Sequence, residues 1–395
     1  MSDQGAIPDA TEALPVVRTG ESVAELAFQM PLIDHHCHGV QTGTATDAEV
    51  ELLATESDWP APPGTSVFDN PFGITVRSVC APLLDLPRHC TAEEYLQRRG
   101  ELGGTEVSTR LLASSGTERY LLDTGFRAST ITTPHEMATL TGAATDEIVR
   151  LETLAESIAP GCTAAGFASA FDDALEAAAA NAVGVKSIIA YRYGLDFDPA
   201  PPEPAQVTAA AGRWLTAIEA GSPGRLADPV LLRYVLWRAV ELRQPIQLHV
   251  GYGDPDIVLH RCDPSHLTRF AHATRTTGAQ LMLLHCYPYI RQAGILAQLF
   301  PHVWLDTSCA VSHTGPSSET LVRESLEIAP MHKLLYASDA FGLPELYACG
   351  SWLWRRAVGL VLDEWLADNL IGAADARRYV KMLGRDNAVR AYGLE

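Results

Sequence analysis

The sequence predicts an α/β protein built as a closed (β/α)₈ barrel. Eight short apolar runs recur along the chain, helix-like stretches separate them, and no glycine-rich dinucleotide fingerprint follows an early run. The runs are Leu32–His36, Arg119–Asp123, Ile148–Leu154, Gly184–Ala190, Pro245–Val250, Gln280–His285, His302–Asp306 and Lys333–Ser338. Most are continuously apolar rather than alternating, as expected of parallel strands buried on both faces.

The intervening helices carry their own signals. Asp228 can cap and Pro229 suits the first helical position; Leu231, Tyr234, Val235, Ala239 and Leu242 then share one face, and Pro245 marks the stop. A second helix is expected from Ser265 to Thr277, closed by Gly278. Residues 39–117 break the rhythm. With Trp59, Pro60, Pro62, Pro63, Pro71 and Pro82 and a helix-like Ala92–Leu102, they read as an insertion over the barrel mouth; a peripheral insertion is the alternative. The proline-rich stretch Phe197–Val207 reads as a surface loop, residues 1–20 as a flexible N-terminal segment, and 21–395 as one barrel unit.

Composition narrows the function. The chain has 395 residues, 47% hydrophobic and 19% charged, which describes a globular protein. A net charge of −19 argues against nucleic acid, because phosphate binding needs a basic surface. No run of 18 apolar residues and no basic leader is seen, so no membrane partner and a cytoplasmic location are expected. Eight cysteines without a C-x-x-C pair suggest free thiols in a reducing compartment. Trp352, Trp354 and Trp365 suit either a homodimer interface or the core.

The candidate chemistry begins at Asp34-His35-His36-Cys37-His38-Gly39. Residues two apart on a strand share a side, so His36 and His38 would present two imidazoles together, with His35 and Cys37 turned away and Gly39 releasing the chain. Thirteen histidines yield about 0.4 such pairs by chance, so the pair alone decides nothing. The set decides. His249, His285 and Asp339 each close a separate apolar run, at the strand ends where barrel active sites assemble. Imidazoles with one carboxylate suit Zn²⁺, with Mn²⁺ or Fe²⁺ as alternatives.

Beyond that histidine motif, the stretches Arg150-Leu151-Glu152-Thr153-Leu154-Ala155-Glu156, Gly184-Val185-Lys186-Ser187, Tyr191-Arg192-Tyr193-Gly194-Leu195, Gln247-Leu248-His249-Val250-Gly251-Tyr252-Gly253-Asp254, Leu284-His285-Cys286-Tyr287-Pro288 and Ser338-Asp339 resemble the amidohydrolase superfamily. The likeness is strongest to the amidohydrolase domain fused to glutamine-synthetase-like proteins, and to free-standing relatives that cleave γ-glutamyl amides. A synthetase domain is not expected here, so no ligase activity is carried over. The resemblance implies that His36, His38, His249 and Asp339 hold a single metal ion, favoured over two, and that His285 polarises a carbonyl or moves protons. Asp339 would also exchange protons with the reacting water. Lys186 has three readings: a carboxylated bridge between two metals that His249 and His285 would share, an ammonium binding a substrate carboxylate, or a strand-end lysine reaching solvent.

For substrate, Arg150 and Glu152 are placed in the third strand and Tyr191 and Arg192 after the fourth. Arg192 with Lys186 could clamp a carboxylate, and Glu152 could pair with an ammonium group; an internal ion-pair network is the plainer reading. Asp34 could orient a liganding histidine, and Asp254 and Asp256 could be loop contacts or turn residues. The expected function is hydrolysis of a C–N amide bond in a small carboxylate-bearing molecule. A metal-dependent decarboxylase and a catalytically inactive metal-binding scaffold are the rivals.

Overall fold

The computed structural model describes residues 22–395, and the expected N-terminal segment 1–20 lies outside them. Seven parallel strands follow one another in chain order: β1 Leu32–Cys37, β2 Thr117–Asp123, β3 Ala144–Arg150, β4 Gly184–Ser187, β5 Pro245–His249, β6 Gln280–Leu284 and β7 Val303–Leu305. The eighth run closes the ring without a regular ladder. Leu335 N–H donates to Leu305 O at 3.0 Å, while on the other side His35 N–H reaches Tyr336 O at 3.1 Å and Asp339 N–H reaches His36 O at 3.0 Å. The fold is the barrel the sequence predicts.

Two cores explain the continuous apolar runs. Ile33, Leu121, Ile148, Met282, Leu284, Trp304 and Leu335 meet inside the ring. Their neighbours Leu32, Leu122, Val149, Leu281, Leu283 and Val303 pack outward beneath the helices. Strand alternation thus divides each run between two buried faces. Ala388, Ala391 and Tyr392, from the helix Asn387–Tyr392, plug the floor of the ring.

Two strand boundaries differ from expectation. β3 ends at Arg150 and the chain enters the helix Leu151–Ile158 at once, so Glu152 sits in a first helical turn rather than on the strand. Likewise β4 ends at Ser187, and the short helix Ile189–Arg192 carries Tyr191 and Arg192. Unbroken hydrophobicity cannot separate a buried strand end from a buried first turn. The helix Pro229–Leu242 starts as expected, Val230 N–H donating to the Asp228 carboxylate at 2.9 Å. The Ser265 stretch opens as a tight turn, Pro264–Leu267, before the helix Thr268–Thr274, and the 197–207 loop yields early to the helix Pro204–Glu219.

The long interval after β1 folds into the helices Asp47–Leu53, Pro71–Leu83, Ala92–Leu102 and Gly104–Ser115. Of these, Pro71–Leu83 and Gly104–Ser115 dock on the helix Pro344–Ala367, which follows the eighth run. A buried ion pair anchors Ala92–Leu102 to it: Arg99 Nε lies 2.8 Å from Glu345 Oε1, which also accepts the Tyr95 hydroxyl at 3.0 Å. On that same docking helix Trp354 is buried, and Trp352 and Trp365 pack against the core. All eight cysteines are free. Among the described residues, no helix is long and apolar enough to cross a membrane.

Removing one partner of a buried pair strands the other charge. Arg99→Leu is therefore expected to lower unfolding stability by about 3 kcal/mol or more, read from urea denaturation. Adding Glu345→Leu should recover much of that loss. An unchanged single-variant midpoint would contradict the anchor.

Candidate metal centre

The site begins where β1 leaves regular alternation. The β1–β2 register shifts between Asp34 and Cys37, so His35 faces the ring interior beneath the site rather than lying opposite His36 across the strand. Its Nε2 lies 2.8 Å from Asp306 and its Nδ1 2.9 Å from the Tyr392 hydroxyl, which occupies both ring nitrogens. Cys37 turns outward, its thiol donating to Leu121 O at 3.7 Å. Gly39 serves a close approach more than a turn: a Cβ there would meet Thr132 O at 2.1 Å.

His36, His38, His285 and Asp339 converge at the mouth. The Asp339 carboxylate lies 2.9 Å from His36 Nε2, 3.7 Å from His38 Nε2 and 3.1 Å from His285 Nδ1. His249 stands beside them, its ring centroid 4.5 Å from that of His285. Lys186 is buried, with Nζ 2.8 Å from His36 Nε2 and 3.5 Å from Asp123. The solvent-reaching reading of Lys186 is thereby corrected, because β4 aims the side chain across the ring instead of out of it.

Burial sets the protonation states. Desolvation holds His36, His249 and His285 well below the usual imidazole range, and His38 down to about 3. Desolvation also pushes the Asp339 carboxyl up to about 7, against the pull of Lys186 and His38. Lys186 is lowered by burial, with Asp123 opposing. Neutral imidazoles beside one carboxyl are the donor set a divalent cation requires. The His36 Nδ1 and His249 Nε2 atoms are buried without a hydrogen-bond partner among the described residues, so the cluster is not satisfied by the protein alone. The residues fit a metal ion.

The proposed substrate clamp is not assembled. Glu152 is fully buried, and its Oε1 accepts the Ser187 hydroxyl at 2.6 Å and Ile188 N–H at 3.0 Å. Arg192 pairs with Glu156 at 2.8 Å, and Arg150 with Asp123 at 2.5 Å. These groups support the barrel, because placing Glu152 on a helix turns it beneath β4. Tyr191 does reach the site, its ring 4.3 Å from that of His249. Asp34 accepts from Ser338 rather than a histidine, and Asp254 accepts Asp256 N–H at 3.1 Å in a turn.

Sequence reasoning missed four residues. Asp123 sits between Arg150 and Lys186, and its carbonyl bonds His38 Nδ1 at 3.0 Å. Asp306 accepts His285 N–H at 2.8 Å, and Ser308 Oγ lies 2.9 Å from His285 Nδ1. Asp123 and Asp306 close their apolar runs as His249 does, so their signal was present. Glu56, from the insertion, shows none; only folding brings it to His313.

The sequence profile of the amidohydrolase family matches residues 136–394, from ahead of β3 to the end of the barrel. The chain belongs to the amidohydrolase family. Like other members of its superfamily it is metal-dependent, and the profile match leaves out His36 and His38, which the fold supplies. This amidohydrolase is 26% identical over 389 residues to protein fluG of Emericella nidulans, covering 89% of the chain but only 44% of that relative. A candidate metal-dependent hydrolase of Lactobacillus casei superposes with a TM-score of 0.83 at 27% identity, covering 94% of this chain and 98% of the other. A glucuronate isomerase of Caulobacter crescentus shares the fold, with a TM-score of 0.64 at 14% identity over 94% of this chain and 93% of its own.

Metal uptake offers a direct check on the electrostatics. With imidazoles already neutral and Asp339 near 7, binding at pH 6 should release about one proton, falling toward none by pH 8. Calorimetry in buffers of different ionisation enthalpy measures this. Asp339→Asn should abolish the release; a release that survives places the titrating proton elsewhere.

Proposed function

We propose that this amidohydrolase hydrolyses a C–N amide bond in a small carboxylate-bearing molecule, a γ-glutamyl amide being the class its motifs favour. Asp339 carries the reading: a carboxyl only 15% exposed, ionising near neutrality, at the meeting point of three imidazoles. His36, His38, His249 and Asp339 would hold one divalent ion, Zn²⁺ ahead of Mn²⁺ or Fe²⁺; a second ion would add Lys186 and His285. When bound, such an ion polarises the scissile carbonyl and lowers the pKa of water toward neutrality.

The chain's own groups supply the proton transfers. Asp339 accepts the proton of the attacking water and returns it to the departing nitrogen. His285, oriented by Ser308 and by Asp306 at its backbone, stands beside the oxygen on which charge develops. At the rim, Arg127 lies against the Phe126 ring at 5.3 Å and has no acidic partner among the described residues. Phe126 in turn packs on His38, so Arg127 is the guanidinium best placed for a substrate carboxylate.

A decarboxylase remains the second reading, because Phe126 and Phe341, ring centroids 5.0 Å apart and both against His38, would suit an aromatic acid. Incubation with γ-glutamyl amides and with aromatic acids separates the two: free amine supports hydrolysis, and CO₂ overturns it. Asp339→Asn should cut turnover by at least about 10³-fold. Arg127→Met should raise KM about tenfold with kcat little changed, the signature of lost ground-state binding. Native mass spectra test the ion count at this centre: an unmodified Lys186 supports the single-ion site, and a carboxylated Lys186 would replace it.

A further inference from the structure

A second group of metal-competent side chains lies at the barrel rim, next to the cluster around Asp339. Glu56 follows the first helix of the insertion, Cys309 follows β7, and His313 ends the short helix Ala310–His313. Their ligand atoms all lie within 4.8 Å of one another. Glu56 Oε1 is 3.2 Å from His313 Nε2 and accepts from Cys309 Sγ at 3.5 Å. The sulfur and imidazole are enclosed, at 4% exposure for Cys309 and 11% for the His313 side chain, whereas Glu56 at 31% opens the group toward solvent.

Two features set this apart from a chance ion pair. Cys309 holds φ 56° and ψ −67°, a conformation costly for any residue with a Cβ, and its N–H is fixed on Ser338 O at 3.2 Å. The backbone is thus held where it turns the thiol toward Glu56 and His313. The rings of Phe72 and Tyr252 flank His313, with centroids at 5.7 and 5.9 Å, and limit its movement. One thiol, one imidazole and one carboxylate, enclosed on one side and open on the other, form a three-donor set with a free fourth position.

We propose that Glu56, Cys309 and His313 form a second metal site, for a thiophilic divalent ion such as Zn²⁺, beside the His36–Asp339 centre. Binding replaces the Glu56–His313 contact and the Cys309 thiol bond, the thiol proton and any imidazolium proton of His313 passing to solvent, so no oxidant or other reactant is needed. Glu56 belongs to the insertion while Cys309 and His313 follow β7. An occupied site therefore ties the insertion to the barrel mouth beside Ser338 and Asp339. The inference is independent of which bond the enzyme cleaves, since it rests on neither substrate nor product.

Cobalt reports on this site through its thiol; because Cys309 also neighbours Asp339, the titration is repeated in Asp339→Asn, and Cys37, the thiol in the histidine motif, points away. The full-length protein, stripped of metal, is titrated with Co²⁺ and followed for thiolate-to-cobalt absorption in the near ultraviolet. The expected result is a thiolate band that persists in Asp339→Asn, is lost in Cys309→Ser and is kept in Cys37→Ser. Glu56→Gln, a change on a partly exposed loop that keeps the proposal testable should the serine variant misfold, should weaken the ion responsible by at least about tenfold. No thiolate band at several equivalents, or a band that survives Cys309→Ser, follows Cys37 or vanishes in Asp339→Asn, would overturn the site.

Discussion

The hydrogen-bonded seam between β1 and the eighth run is the constraint on which the rest depends. The eighth run forms no regular ladder, so side chains hold the closure. Asp34 accepts Ser338 N–H at 3.0 Å and the Ser338 hydroxyl at 2.5 Å. Burial outweighs those bonds and pushes the Asp34 carboxyl up to about 7, so the seam is closed at an electrostatic cost. What it secures is register. With Ser338 clamped to Asp34, the next residue, Asp339, falls 2.9 Å from His36, and neither shift of one residue would preserve that contact.

Strain gathers at the same rim. His285, Cys286, Cys309 and Asp339 all adopt positive φ, each just past an inner strand or the eighth run. A residue with a Cβ pays for that conformation, roughly 1–3 kcal/mol where the region is sparsely populated. The surrounding bonds enforce it: Asp306 holds His285 N–H, and Ser338 O holds Cys309 N–H. The barrel thereby bends functional side chains inward just where its strands end. Its buried aspartates do the same electrostatically. Arg150 and Lys186 hold the Asp123 carboxyl well below the usual carboxylate range despite its burial, leaving Asp339 as the carboxyl of the mouth that changes protonation near neutral pH.

Much of this was legible in the chain. The eight runs, the helix at Pro229, the helix Ala92–Leu102 and the terminal positions of His249, His285 and Asp339 follow from periodicity, capping and strand-end placement, which are local properties. The misplaced residues share one cause. Glu152, and the ends of the third and fourth runs, lie where an apolar strand passes straight into an apolar helical turn, and hydrophobicity is continuous across that join. His35 was misdirected by a bulge that no pattern of two announces.

By itself the sequence determined the barrel and which strand ends carry metal-competent groups, because burial on both faces of a parallel strand writes a continuous apolar run that stops at the polar residue facing the mouth. Tertiary structure alone decided which of those groups meet. It buried Lys186 against His36, gave Arg192 to Glu156 and Glu152 to Ser187, and brought Glu56 across to Cys309 and His313. Pairings between residues 35 to 253 positions apart are set by ring closure and by the docking of an insertion, and neither leaves a local mark on the chain.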